Sequence, residues 1–130
     1  MTSSVSEEKF AEGRRFMAKL HGVDMLPASV RAGDSAYIAH TVGHLFAEVW
    51  ARPGLPMHDR RLLVLGATSM LGREDLVEVQ AFGALNSGDL TPGDLQEALL
   101  QLAYYAGWPN STALMRGIAP ATAKYMQSKA

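Results

Sequence analysis

Two histidines and a glutamate recur at intervals of four residues and are the first candidates for chemistry in this chain. His40, His44 and Glu48 stand in a segment whose pattern predicts a helix. In an α-helix each step of four residues advances about 6 Å and turns by about 40°, so the three side chains share one stripe. Such a stripe could bind a metal ion, transfer protons, or simply face solvent or another subunit. The spacing leaves these three interpretations open.

A resident metal ion is nevertheless not expected. The segment from His40 to His44 lacks the Glu that zinc peptidases place directly after the first His. The chain contains no cysteine, which excludes disulfides, thiolate metal sites and Cys-based redox chemistry. We therefore predict neither a tightly bound metal nor thiol-dependent peroxidase activity.

Arg60 and Arg61 stand in the first turn of a predicted helix, residues 57–71, that is apolar nearly all round. The helix dipole disfavours cations at this end, so each arginine should have another partner. An acid such as Asp59 or Glu74 is one candidate. A substrate carboxylate, which Arg can bind with two hydrogen bonds, is the other.

Other polar and aromatic side chains could line a small-molecule pocket. Gln80 interrupts the apolar run of the next predicted helix and could bond to the backbone or project into a cavity. Trp50 and Arg52 precede a break at Pro-Gly. Tyr105 precedes a Gly-Trp-Pro corner where two helices should meet, and Trp108 is part of that corner. Such rings either pack in a core with satisfied polar atoms or line a pocket.

The bulk composition limits the function classes. With 130 residues, 48% hydrophobic and 19% charged, the chain should form one globular domain over residues 1–130. The net charge of −1 and the lack of a basic run argue against nucleic acid as a partner. No apolar run is long enough to span a membrane, and the first residues do not look like a signal peptide, so a cytoplasmic location is the default.

Capping and turn residues predict helices throughout and no strands. The first predicted helix starts from a Ser4–Glu7 capping box and ends near Leu20, and the second runs from an Asp34 cap to about Ala51. The third, fourth and fifth cover residues 57–71, 74–87 and about 91–106. The sixth begins at Pro109 and should have a kink or break at Gly117 and Pro120. In the fifth helix a period near 3.6 predicts burial of Leu95, Ala98, Leu99, Leu102 and Ala106.

Seven short stretches form a recognisable set. They are residues 10–13 (FAEG), 48–55 (EVWARPGL), 59–63 (DRRLL), 71–75 (LGRED), 83–88 (GALNSG), 91–97 (TPGDLQE) and 101–109 (QLAYYAGWP). Together they resemble the carboxymuconolactone decarboxylase family, part of the alkylhydroperoxidase D-like superfamily. The resemblance covers roughly residues 8–115.

The resemblance implies an all-α, alkylhydroperoxidase D-like bundle of about six helices that assembles into homo-trimers or homo-hexamers. It also implies cofactor-free loss of carbon dioxide from 4-carboxymuconolactone in aromatic catabolism. Peroxidase relatives have Cys-x-x-Cys and a following His on the fourth helix, and the matching positions here are Arg73, Leu76 and Gln80. The lactone decarboxylases usually have His where this chain has Gln80, and Gln cannot exchange a proton near neutral pH.

These observations lead to two hypotheses. In the first, the chain is a cofactor-free lyase in which Arg52 and Arg61 bind carboxylate or carbonyl oxygens, Glu48 or His44 delivers a proton, and Gln80 orients an oxygen. In the second, the chain is a catalytically silent, oligomeric binding or scaffold protein that keeps the fold. Loss of the helix-four His favours the second hypothesis, whereas the retained acid and arginines favour the first.

Overall fold

The computed structural model describes residues 5–130, and they form an all-helical structure. The elements are α1 (Glu7–His21), α2 (Ala36–His40), a π-helix (Thr41–Val49), α3 (Met57–Met70), α4 (Glu74–Ser87), α5 (Pro92–Ala106) and α6 (Trp108–Lys129). No strand occurs among residues 5–130. The prediction of an all-α fold with about six helices is confirmed.

The predicted capping box at the start of α1 is not what the structure shows. Ser4 lies outside the described residues. The cap is Ser6, whose Oγ accepts a hydrogen bond from the backbone nitrogen of Lys9 at 3.0 Å. That bond satisfies one of the amide groups that a helix start leaves unpaired.

The chain divides into two compact units, one ending at Leu55 and the other beginning at Pro56. In the first unit α1 packs against the π-helix. Gly13 makes the close approach possible, because a Cβ atom built there would lie 1.8 Å from the carbonyl oxygen of Val42. Only a residue without a side chain fits between the two helix backbones at this point.

The predicted second helix differs from the structure at both ends. Ser35, not Asp34, is the cap, and its Oγ accepts from the backbone nitrogen of Ile38 at 3.3 Å. Asp34 instead accepts from the backbone nitrogen of Arg31 at 3.0 Å and so closes the preceding turn. The helical segment ends at Val49 rather than near Ala51.

Arg14 holds the loop that joins α1 to α2. Its guanidinium donates to the carbonyl oxygens of Leu26 at 2.7 Å and Pro27 at 2.9 Å. It also forms an ion pair with Asp24 at 3.0 Å. One side chain thus supplies donors for loop carbonyls that no helix or sheet would satisfy.

In the second unit α4 and α6 pack together and form most of the core. Gly117 allows this contact, because a Cβ there would lie 2.5 Å from a methyl group of Val77. Of the kink or break predicted in the last helix, the break is wrong, since α6 continues through Pro120. Ile118 and Ala121, on either side of the proline, are buried, and this packing holds the helix together across the missing hydrogen bond.

The start of α5 agrees with the sequence, whereas its buried stripe is narrower than predicted. Thr91 and Asp94 form a complete capping box, and Pro92 is the first helical residue. Leu95 is fully buried, as predicted. The other buried residue of this helix is Ala103, which is not one of the predicted core residues. The other predicted core residues are only half-buried, namely Ala98, Leu99, Leu102 and Ala106.

Candidate functional site

The π-helix places the candidate acid and bases of the first unit on one surface. Its wider turn is seen in the hydrogen bond from the backbone nitrogen of Trp50 to the carbonyl oxygen of Leu45, five residues earlier, at 2.9 Å. π-Helical turns are rare and occur frequently at functional sites. The sequence predicted an α-helix here, and the π-helical turn is the structural feature that it missed.

His40, His44 and Glu48 line one cavity of about 320 Å³, as their spacing predicted. The remaining lining residues are Val5, Ser6, Lys9 and Gly43. His44 Nδ1 lies 3.3 Å from Glu48 Oε1, with 61% of the histidine side chain and 51% of the glutamate side chain exposed. His40 Nδ1 lies 2.7 Å from the carbonyl oxygen of Ala36 and so carries its proton there. An acid paired with an imidazole beside Lys9 could bind an anion and transfer a proton.

A histidine–carboxylate pair does not by itself make a metal site. Within the described residues, no three His, Asp or Glu side chains gather closely enough to hold a metal ion.

No helix in the described part of the chain is long and apolar enough to cross a membrane.

The second unit contains a buried cation, Arg61, with 0% of its side chain exposed. Its Nε donates to Asp89 Oδ2 at 3.2 Å, its Nη1 to Gln80 Oε1 at 3.1 Å and its Nη2 to Ser87 Oγ at 3.4 Å. Burial lowers the pKa of the Arg61 guanidinium, while Asp89 acts in the opposite direction. The guanidinium stays charged at any ordinary pH.

The carboxylate that pairs with Arg61 is therefore Asp89, and neither of the two acids named from the sequence. Asp59 instead lies 2.9 Å from His58 Nδ1. Asp89 follows α4 and is 28 positions away from Arg61 in the chain. Sequence spacing could not show this pairing, because the turn after α4 brings the two together.

The hydrogen bond from Arg61 fixes the orientation of the Gln80 side chain. A guanidinium has only donors, so the amide oxygen of Gln80 must face it. The amide nitrogen then points away from Arg61 and carries two N–H groups that can donate to another oxygen. At the position where lactone decarboxylases usually have His, this chain thus presents an oriented hydrogen-bond donor.

The remaining candidates, Trp50, Arg52, Tyr105 and Trp108, differ in exposure and in whether they line a cavity. Trp50 is buried and stacks on Phe46, with 6.1 Å between ring centroids, whereas the Arg52 side chain is exposed. Trp108 lines a cavity of about 270 Å³ between α5 and α6 and packs edge-on against Tyr104. Tyr105 is exposed and does not line that cavity.

Another cavity of the second unit lies where the sequence analysis named no candidate site residue. It has a volume of about 420 Å³, and its polar lining includes His58, Glu97 and Gln101. The signals were present in the sequence: His58 is followed directly by Asp59, and Glu97 and Gln101 are four residues apart on α5. Without the packing of α3 beside α5 these signals could not be connected.

Comparison with known proteins identifies a family and two curated relatives. Residues 36–119 match the model of the carboxymuconolactone decarboxylase family. A 4-carboxymuconolactone decarboxylase of Acinetobacter baylyi is 41% identical over 70 residues, which is 54% of this chain and 52% of that protein. A nitrosuccinic acid decarboxylase of Metarhizium robertsii is 39% identical over 64 residues, which is 48% of this chain and 43% of that protein.

The chain thus spans about half the length of the curated relatives it matches. No solved structure matched it significantly. The family model nevertheless covers well over half of the chain, from α2 into α6. The chain belongs to the carboxymuconolactone decarboxylase family.

Proposed function

We propose that the chain is a cofactor-free decarboxylase that acts on a small carboxylated lactone or a related intermediate of aromatic catabolism. In this reaction the bond between the substrate and its carboxylate breaks, and carbon dioxide leaves. The bonding electrons pass to a neighbouring carbonyl or comparable group, and a proton then adds to the carbon that lost the carboxylate. Both curated relatives are decarboxylases by name, which supports the reaction type.

The observation that carries the proposal is the hydrogen bond between Arg61 and Gln80. An N–H donor held in place by a buried cation stabilises the negative charge that develops on a substrate oxygen. Gln80 would supply this donor, and Arg61 would hold it and add positive charge behind it. Such a role needs no proton exchange, so a Gln can perform it at the position usually occupied by His.

In the first unit, Glu48 and His44 are the proposed proton-transfer pair. Their separation of 3.3 Å allows a proton to pass between them. Within the first unit the exposed Arg52 is proposed to bind a substrate carboxylate, whereas Trp50 is buried against Phe46 and is not available to a substrate ring. Within the second unit Tyr105 and Trp108 are proposed to bind a substrate ring. The chain would act as a homo-trimer or homo-hexamer in the cytoplasm.

The second candidate function is a binding or scaffold protein without turnover. Replacement of the family's His by Gln80 favours it. Both candidates can be tested with a panel of lactones and dicarboxylic acids that includes 4-carboxymuconolactone and nitrosuccinic acid. A compound that raises the melting temperature and releases carbon dioxide supports the decarboxylase. A compound that raises the melting temperature without release of carbon dioxide supports the binding protein.

A further inference from the structure

The cavity between α3 and α5 has the composition of a small-molecule site. Its volume of about 420 Å³ lies within the range of known ligand pockets. The lining residues are His58, Leu62, Asp94, Glu97, Ala98, Gln101 and Leu102. None of these residues has a role in the function proposed above.

The lining of this cavity combines polar and apolar side chains. Leu62, Ala98 and Leu102 supply the apolar part. Among residues 5–130, the side chains of Glu97 and Gln101 make no hydrogen bond or ion pair with another protein group. Both side chains are exposed at the cavity and are accessible to a ligand. An apolar cavity with a few convergent polar groups is the usual composition of a small-molecule site.

Asp59 orients the imidazole of His58. Its Oδ1 lies 2.9 Å from His58 Nδ1, so Nε2 is the ring nitrogen left for a ligand. The hydrogen bond from Asp59 raises the pKa of His58, and the charges of Asp59, Asp94 and Asp89 raise it further. His58 therefore carries positive charge to a higher pH than an ordinary histidine.

The two carboxylates at the cavity are not equivalent. Asp94 Oδ2 already accepts a hydrogen bond from the backbone nitrogen of Thr91 at 2.9 Å, as part of the α5 cap. Glu97 has no such partner among the described residues. The cavity thus offers one cation at His58, one available anion at Glu97 and a side-chain amide at Gln101.

We propose that this cavity binds a small hydroxy acid that has one carboxylate and an apolar body. The ligand carboxylate pairs with His58 Nε2, and the ligand hydroxyl donates to Glu97. Gln101 hydrogen-bonds to either group, and the apolar body covers Leu62 and Leu102. A second carboxylate on the ligand would face Glu97 and Asp94 and would be repelled, so the site prefers monoacids to diacids.

Mandelate, phenylacetate and phenylsuccinate test each part of this proposal. Phenylacetate lacks the hydroxyl of mandelate, and phenylsuccinate has a second carboxylate in its place. We expect mandelate to shift the NMR signals of the His58 ring, assigned by their loss in His58→Gln. The dissociation constant of mandelate should rise about tenfold or more in His58→Gln, since a charge-assisted hydrogen bond is lost. Phenylacetate should bind more weakly than mandelate, and phenylsuccinate most weakly.

Glu97→Gln is the second variant, and Glu78→Gln is its matched control. Glu78 is an exposed glutamate of α4 that does not line the cavity. Glu97→Gln should reduce the preference for mandelate over phenylacetate, because a neutral amide oxygen accepts from the ligand hydroxyl more weakly than a carboxylate does, whereas Glu78→Gln should keep it. Mandelate affinity should also fall as the pH rises through the raised pKa of His58, because the imidazole then loses its charge.

Three results would overturn the proposal. They are no shift of the His58 ring signals at millimolar mandelate, unchanged mandelate affinity in His58→Gln, and tighter binding of phenylsuccinate than of mandelate. These binding measurements do not depend on decarboxylation. A chain that binds mandelate at His58 but releases no carbon dioxide from any substrate would keep this proposal and lose the proposed function.

Discussion

At the scale of single residues, Arg61 joins side chains from the middle of α4 and from its C-terminal end. Gln80 lies within that helix, Ser87 is its last residue, and Asp89 follows it. The guanidinium therefore fixes the turn after α4 and the orientation of the Gln80 amide at the same time. Its removal would alter both stability and the proposed oxygen-binding donor.

Replacement of Asp89 by Ala should leave the buried guanidinium without its counter-charge. We expect the free energy of unfolding to fall by about 3 kcal/mol, the usual result of breaking a buried ion pair on one side. Urea unfolding followed by circular dichroism measures this change. Asp75→Ala is the matched control, because the Asp75–Arg73 pair is exposed to solvent and its loss should cost much less than that of the buried pair. Equal effects of the two substitutions would show that the Arg61–Asp89 pair does not stabilise the unit.

Glu48→Gln preserves the shape of the side chain and removes its titrating proton. If Glu48 takes part in proton transfer, the turnover rate should fall about a hundredfold or more, in the range of general acid–base contributions. Steady-state release of carbon dioxide measures the effect, with Glu78→Gln as the control. Wild-type turnover of Glu48→Gln would remove Glu48 from the mechanism, and the proton donor would then be sought at His44 or Tyr105.

The residues of the site were only partly accessible from the sequence. The shared face of His40, His44 and Glu48 followed from spacing, because all three lie on one continuous helical segment. The contacts of Arg61 did not, since Asp89 and Gln80 are brought to it by tertiary packing. Local patterns predict which residues share a helix face and say little about contacts between distant positions.

At the scale of elements, the π-helix is the main departure from expectation. Its residues have no composition that distinguishes them from an α-helix. The close contact of the segment with α1 at Gly13 and Val42 is a property of the folded unit. A pattern of apolar residues cannot predict such a change of helical turn.

Gly13→Ala should therefore destabilise the first unit. A Cβ atom would lie 1.8 Å from the Val42 carbonyl oxygen, so the two helices would have to move apart. We expect a loss of about 3 kcal/mol in the free energy of unfolding, at the upper end for overpacking. Gly33→Ala is the control, since a Cβ there would meet no atom within 4 Å. Thermal unfolding in which the two variants lose equal stability would refute this packing.

The stability that the loop between α1 and α2 gives to the folded state should depend on pH through Asp24. Hydrogen bonds from Arg14 hold the pKa of Asp24 below the ordinary value of an aspartate. A carboxyl group whose pKa is lowered on folding stabilises the folded state above its unfolded pKa, and this contribution is lost as the pH falls through the folded pKa. The stability difference between wild type and Asp24→Asn should thus shrink in acid below pH 3.8. A difference independent of pH would contradict the role of this ion pair.

At the scale of the whole molecule, many large apolar side chains are exposed. On α3 and α5 they include Leu63, Met70, Leu100, Tyr104 and Tyr105. Exposed apolar side chains in such number are typical of surfaces that associate. We predict a homo-trimer or homo-hexamer, and light scattering at micromolar concentration measures the assembly. A stable monomer would refute the prediction.

The helices themselves were largely predictable, because caps and breaking residues mark their ends locally. Gly88 ends α4 with a positive φ of 78°, directly after the predicted end at 87, and Thr91 caps α5 at the predicted start near 91. The division into units, the continuity of α6 and the cavity beside His58 depend on packing between helices. These features became visible only in the folded chain.

The central claim is that the chain breaks a carbon–carboxylate bond and protonates the remaining carbon without a cofactor. Incubation of the purified, chelator-dialysed protein with 4-carboxymuconolactone or nitrosuccinic acid in D₂O, followed by NMR, measures both steps together. We predict catalytic loss of carbon dioxide from at least one of the two and one deuterium at the carbon that carried the carboxylate. If folded wild-type protein released carbon dioxide from neither substrate faster than a heat-inactivated control, the account would be contradicted.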